Sequence, residues 1–204
     1  MTIDDIMSAA PVIPVLVLDE RLDPIELAKT LVASGLPVLE VTLRTPHALE
    51  AIRAMASVPG AIVGAGTVLD PRQLDAALDA GAQFIVAPGL TDGLTRAAIG
   101  SGTAYLPGVA TAGDIMRGLD HGLDRFKLFP AESSGGLPAL KALASPFGDV
   151  RFCPTGGITA ATASEWLAHP AVSCIGGSWI APAGETDLDR IGEFARTAAL
   201  LRPN

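Results

Sequence analysis

The sequence predicts an α/β fold, a closed (β/α)8 TIM barrel, on three observations. Short apolar runs rich in Val, Ile and Phe recur along the chain, amphipathic stretches of helical length separate them, and Pro and Gly punctuate the joints. The runs start near Val12, Pro37, Ala61, Gln83, Thr103, Asp124, Val150 and Val172. Starts about 20 to 26 residues apart leave room for one strand, one turn and a helix of about ten to twelve residues. At 204 residues the chain fits one such barrel, whose lower size limit is about 200 residues, so a single domain over 1–204 is expected. A doubly wound open sheet is the rival architecture. Even strand spacing, and the lack of a G-x-G-x-x-G after the first run, favour closure.

The joints fix the register. Asp23-Pro24, Thr45-Pro46 and Asp70-Pro71 each place a side-chain oxygen before a Pro suited to the first helical position. Gly35, Gly60, Gly81, Gly102 and Gly122 stand where a helix must stop and the chain turn back. The last helix is expected from about Asp187 to Leu201.

With 49% hydrophobic and 18% charged residues, the chain has ample material for one large core and no disordered character. A net charge of -8 without any basic run excludes nucleic acid as a partner, because phosphate-backbone binding needs clustered Lys and Arg. An anionic small molecule stays open, since a few pocket cations act locally. The start lacks a basic segment, so Pro11 to Leu18 does not read as a signal peptide, and no apolar run is long enough to span a bilayer. Cytoplasmic location follows as the expectation, with Cys153 and Cys174 as reduced, buried thiols. His47, His121 and His169 share no metal-ligand spacing, so no metal is expected.

Barrel chemistry belongs at the C-terminal ends of the strands. Of the three lysines, Lys29 and Lys141 fall in helical stretches and read as solvated surface. Lys127 stands near the end of the sixth strand between Phe126 and Leu128-Phe129-Pro130. Desolvation lowers a lysine pKa and supplies the neutral amine that attacks a carbonyl; the alternative is an ion-paired structural lysine. On the second strand Val38, Glu40, Thr42 and Arg44 share one parity, so Glu40 and Arg44 point to one side. A carboxylate there moves protons and the Arg grips a substrate carboxylate, unless the two form an internal salt bridge. Gly64-Ala65-Gly66-Thr67 ends the third strand, with glycines that let backbone approach a ligand and a hydroxyl to offer. Thr155-Gly156-Gly157-Ile158 and Gly176-Gly177-Ser178 end the last two strands. Such loops are the usual phosphate position in barrels, through backbone N–H groups and a helix N-terminus; tight turns are the alternative.

At these residues the chain closely resembles the family of 2-keto-3-deoxy-6-phosphogluconate (KDPG) and 4-hydroxy-2-oxoglutarate aldolases, class I lyases of small barrel fold. The likeness runs from Pro11 through Pro182. Its most specific pieces are Leu39-Glu40-Val41-Thr42-Leu43-Arg44-Thr45, Val63-Gly64-Ala65-Gly66-Thr67-Val68, Phe126-Lys127-Leu128-Phe129-Pro130-Ala131-Glu132 and Arg151-Phe152-Cys153-Pro154-Thr155-Gly156-Gly157-Ile158. The resemblance implies Lys127 as the Schiff-base lysine and Glu40 as the proton shuttle. It implies Arg44 and Thr67 for the pyruvyl carboxylate, Pro88 and Phe129 as pocket walls and Thr155 for a substrate hydroxyl. Gly156, Gly157, Gly176, Gly177 and Ser178 would take the phosphate. The leader before Pro11 is short for the family, and Leu128 stands where an aromatic is frequent.

The activity so implied is retro-aldol cleavage of KDPG to pyruvate and glyceraldehyde 3-phosphate, with no metal or other cofactor, in a homotrimer. The galactonate epimer and unphosphorylated 4-hydroxy-2-oxoglutarate are rival substrates for the same chemistry; Thr155 with Ser178 favours KDPG. A barrel that binds a phosphosugar without turning it over is the rival of a different class.

Overall fold

The computed structural model describes residues 1–18 and 20–201; residue 19 and residues 202–204 of the expected 1–204 span lie outside it. A short helix, α1 (Ile3–Ser8), precedes β1 (Val12–Leu16), and strands and helices then alternate. They run α2 (Pro24–Ala33), β2 (Val38–Thr42), α3 (Ala48–Met55), β3 (Ile62–Gly66), α4 (Pro71–Asp79), β4 (Phe84–Val86) and α5 (Asp92–Ser101). The second half holds β5 (Ala104–Leu106), β6 (Gly108–Val109), α6 (Ala112–Asp120), β7 (Arg125–Leu128), α7 (Gly136–Ala144), β8 (Arg151–Pro154), α8 (Ala163–Leu167), β9 (Ile175–Gly177) and α9 (Leu188–Ala199).

Every strand pair is parallel, in the order β5-β4-β3-β2-β1-β9 and β6-β7-β8. Two seams complete the ring. Isolated bridges Phe152↔Val172 and Thr155↔Gly176 tie β8 to the β9 side. On the other side β5 and β6 are two pieces of one barrel strand, split at Pro107 because Pro has no N–H to give a ladder. The Pro107 carbonyl still accepts from Lys127 N–H at 2.9 Å. Eight strand positions therefore close as expected. The last strand starts later than expected, at Ile175, because the Val172 N–H still closes a turn onto the His169 carbonyl.

Two of the three expected caps form. Asp23 Oδ1 accepts from the N–H groups of Ile25 and Glu26, and Asp70 Oδ1 from that of Gln73. Thr45 is not a cap: α3 begins only at Ala48, and it is the Thr45 carbonyl, not its hydroxyl, that takes the Ala48 N–H. The Thr45 hydroxyl is buried with no partner among the described residues. All five turn-back glycines have φ between +71° and +95°, the left-handed conformation that ends a helix.

Side chains alternate across the barrel wall. Val12, Leu16, Leu39, Val41, Phe126 and Leu128 pack outward under the helices, in one large cluster. Ile13, Val38, Phe84, Val86, Leu106, Cys153 and Cys174 fill the interior. Beneath them α1 contributes Ile6 and Met7, 0% and 1% exposed, to the same interior cluster. A capping box between Thr2 and Asp5 starts that helix, and Asp4 pairs with Arg125 at the entry of β7. The leader thus has a place in the fold as the plug of the barrel's N-terminal end.

Candidate active site

Because Phe126 and Leu128 face outward, Lys127 between them faces in. By the same alternation Glu40 faces in from β2, between outward Leu39 and Val41. The two meet across the barrel: Lys127 Nζ donates to Glu40 Oε1 at 2.9 Å, with the residues only 5% and 3% exposed. The ammonium lies 5.4 Å from the centre of the Phe129 ring. Burial strips water from both charges, and each supplies the other's counter-charge. The sequence alternatives paired Glu40 with Arg44; the structure pairs it with Lys127.

Room for this contact comes from β3. Ladder register sets Gly64 and Gly66 beside Glu40 and Thr42. A Cβ on Gly66 would run into the Glu40 carboxylate, and one on Gly64 into the Phe84 ring. In this structure these glycines make room for neighbouring side chains of the barrel itself. Just beyond the ladder the Leu43 N–H bonds to the Gly66 carbonyl at 2.8 Å, which sets Arg44 and Thr67 side by side. Arg44 is exposed and makes no ion pair with any described residue. Thr67, half-buried, has φ +61°, a conformation that costs a non-glycine residue on the order of 1 kcal/mol or more and is concentrated at binding sites.

The other expected residues ring the same end. Pro88 continues β4 two residues past Val86 and is half-buried, as is Phe129 past β7. Thr155 is buried, donates to the Cys153 carbonyl at 3.3 Å and is bridged to Gly176. Gly156 and Gly157 both have positive φ, +104° and +83°. The N–H groups of Gly157 and Ile158 have no partner among the described residues. Ser178 is exposed beyond β9, whereas Gly177 turns outward, where a Cβ would meet the Trp179 ring at 2.6 Å.

The expected helix N-terminus at the phosphate loops is not there. Thr159 to Thr162 form a turn closed by the Thr159 N–H onto Thr162 Oγ1, so α8 begins at Ala163 and is five residues long. Turns, not a helix, follow Ser178 until α9. Any anion held here rests on loop N–H groups and the Ser178 hydroxyl.

One contact had no signal in the sequence. Trp166 Nε1 donates to Glu132 Oε1 at 2.9 Å, 34 residues apart, while the Glu132 N–H bonds to the Gly156 carbonyl at 3.0 Å. Glu132 thereby braces the Gly156-Gly157 loop. Cavities of about 510 and 360 Å³ open nearby, bounded by Leu18, Arg21 and His47 of the loops after β1 and β2, and neither reaches Lys127. Among the described residues no three His, Cys, Asp or Glu side chains group as metal ligands. No helix among them is long and apolar enough to cross a membrane.

For a chain with a buried lysine in contact with a carboxylate at the C-terminal end of a parallel barrel, comparison with known proteins supplies the family. The sequence matches the KDPG and KHG aldolase family over residues 3–194. The chain belongs to that family. It is 56% identical to the 2-dehydro-3-deoxy-phosphogluconate aldolase of Zymomonas mobilis over 200 residues, covering 98% of this chain and 96% of that one. The crystal structure of the Zymomonas mobilis ZM4 aldolase with 3-phosphoglycerate superposes with a TM-score of 0.96 at 56% identity, covering 98% and 96% of the two chains. The KDPG aldolase of Legionella pneumophila, solved with pyruvate captured as a covalent carbinolamine, gives a TM-score of 0.94 at 41% identity, covering 98% of each chain. The barrel expected from strand spacing is thus the family's own fold.

Proposed function

We propose that this aldolase cleaves KDPG into pyruvate and glyceraldehyde 3-phosphate through a Schiff base on Lys127. The observation that carries the reading is the 2.9 Å contact between Lys127 Nζ and Glu40 Oε1, buried together at the strand ends. A lysine ammonium is no nucleophile, and at that distance Glu40 can take its proton and leave the free amine. The amine attacks the C2 ketone, and the carbinolamine loses water as Glu40 returns a proton to the departing hydroxyl. The protonated imine then draws electrons. Glu40, directly or through a water, removes the C4 hydroxyl proton, the C3–C4 bond breaks, and its electron pair forms the enamine while glyceraldehyde 3-phosphate leaves. Protonation at C3 and hydrolysis of the imine release pyruvate and restore the lysine. The iminium does the work that a Lewis-acid metal does in other aldolases, so the scheme calls for no metal.

Arg44 and Thr67 hold the carboxylate in this reading, Pro88 and Phe129 wall the ketone, and Thr155 meets a substrate hydroxyl. Gly156 and Gly157 with Gly176, Gly177 and Ser178 take the phosphate. The covalent pyruvate in the Legionella enzyme and the 3-phosphoglycerate in the Zymomonas enzyme support the two halves of this assignment. We further assign the enzyme to the cytoplasm, where its unpaired Cys153 and Cys174 belong, and to a homotrimer.

The test is cleavage of three substrates, with pyruvate release followed by coupled reduction. KDPG should give the highest kcat/KM, ahead of the galactonate epimer and of 4-hydroxy-2-oxoglutarate. Equal or greater kcat/KM for 4-hydroxy-2-oxoglutarate would move the assignment to the unphosphorylated substrate. No turnover of any of the three would make the barrel a binder.

A further inference from the structure

We infer a second anion site at the opposite, N-terminal end of the barrel, built for a phosphate group and separate from the site around Lys127. A cavity of about 240 Å³ lies between α7 and the entries of the last two barrel strands. Lys141, Arg151 and His169 line it, and no carboxylate does. In a chain with net charge -8 that is the reverse of the general balance.

None of the three has a carboxylate partner among the described residues. Lys141 makes no ion pair among the described residues. Arg151 Nη1 donates to the carbonyls of Gly148 and Val150 at 2.8 and 2.9 Å, which hold the guanidinium without neutralising it. Its neighbour across the ladder, Arg125, is the arginine that takes Asp4 and Asp124. His169 Nδ1 accepts the Ala171 N–H at 3.2 Å, so in the neutral ring Nε2 carries the proton and donates. Burial, with Lys141 nearby, holds that imidazole below its ordinary pKa. Two fixed cations and one N–H donor around one small cavity repel each other when it is empty and converge on an oxyanion when it is filled. At this volume the cavity is too small for a nucleotide-sized cofactor, and it suits a single phosphate.

The three histidines make the test specific to this site. The imidazole nitrogens of His47, His121 and His169 are followed by NMR while inorganic phosphate, and separately glycerol 1-phosphate, is added; His169→Gln assigns the signal. His169 should shift saturably while His47 and His121 stay, whatever phosphate does at the Lys127 end. A response to both compounds says that the site takes a phosphate carried on an ester. A response to inorganic phosphate alone says that the ligand is the free ion. Lys141 is exposed, so Lys141→Glu should fold and turn over substrate as the parent does. It should bind at this site at least about tenfold more weakly, a modest effect for reversing a charge at contact distance. An unmoved His169, or an identical titration in Lys141→Glu, would overturn the site.

Discussion

The two ends of this barrel are built from the same eight strand positions and share almost nothing else. At the N-terminal end Ile6 and Met7 of α1 close an interior that begins with Val38 and Phe84, all buried and apolar. Toward the C-terminal ends of the strands the inward positions become Glu40, Thr42, Lys127 and Thr155, and the loops beyond carry an Arg44 with no ion pair among the described residues, a left-handed Thr67 and two left-handed glycines. The lower half contributes burial, at roughly 25 cal/mol per Å² of apolar surface. The upper half gives up that contribution and keeps two charges out of water. A barrel separates stability from chemistry along its axis, and on the proposed reading the boundary in this chain runs between these two layers.

Substitutions on either side should therefore break different things. The largest effect belongs to Lys127→Arg, which keeps a buried cation beside Glu40 and should leave the melting temperature near that of the parent while abolishing turnover, since a guanidinium stays protonated. Substantial remaining activity would mean that another residue forms the imine. Ile6→Ala, at the other end, should cost about 2–5 kcal/mol in a denaturant titration and leave kcat unchanged where the protein is still folded. A fall in kcat with no loss of stability would erase the division between the ends. Glu40→Gln should lower kcat by about 100-fold or more, within the usual range for one positioned acid-base group. Exchange of pyruvate methyl protons with solvent reads the same residue independently, and a wild-type rate in this variant would remove Glu40 from the proton path. The smallest effect is Ser178→Ala, about 1–2 kcal/mol in kcat/KM toward the phosphorylated substrate, the value of a hydrogen bond to a charged group. Equal losses on phosphorylated and unphosphorylated substrates would make Ser178 a support of the barrel instead of a phosphate ligand.

The sequence is legible wherever one residue type answers one local demand. Strand parity put Glu40 on one side of β2, an apolar strand-end setting marked Lys127, and the aspartates before Pro24 and Pro71 announced their helices. Thr45 read the same way and failed, because a cap depends on where the helix starts, and α3 starts two residues past Pro46. Gly64 and Gly66 stood out in the sequence, but their reason lies on neighbouring strands, in Phe84 and Glu40. The brace from Trp166 to Glu132 and the plug made by α1 depend on contacts between distant segments, which no local pattern records. Glu40's partner was illegible for the same reason: Arg44 is four residues away and Lys127 is 87, yet the barrel's closure brings the latter to it.

The central claim is that the upper half of the barrel exists to hold one reactive amine, and covalent trapping tests it most directly. Reduction with borohydride in the presence of pyruvate, followed by peptide mass analysis, should place one reduced pyruvyl group on Lys127 and none on Lys29 or Lys141, which are both exposed on helices. Label on either helix lysine, or a protein left unlabelled at saturating pyruvate, would contradict the account.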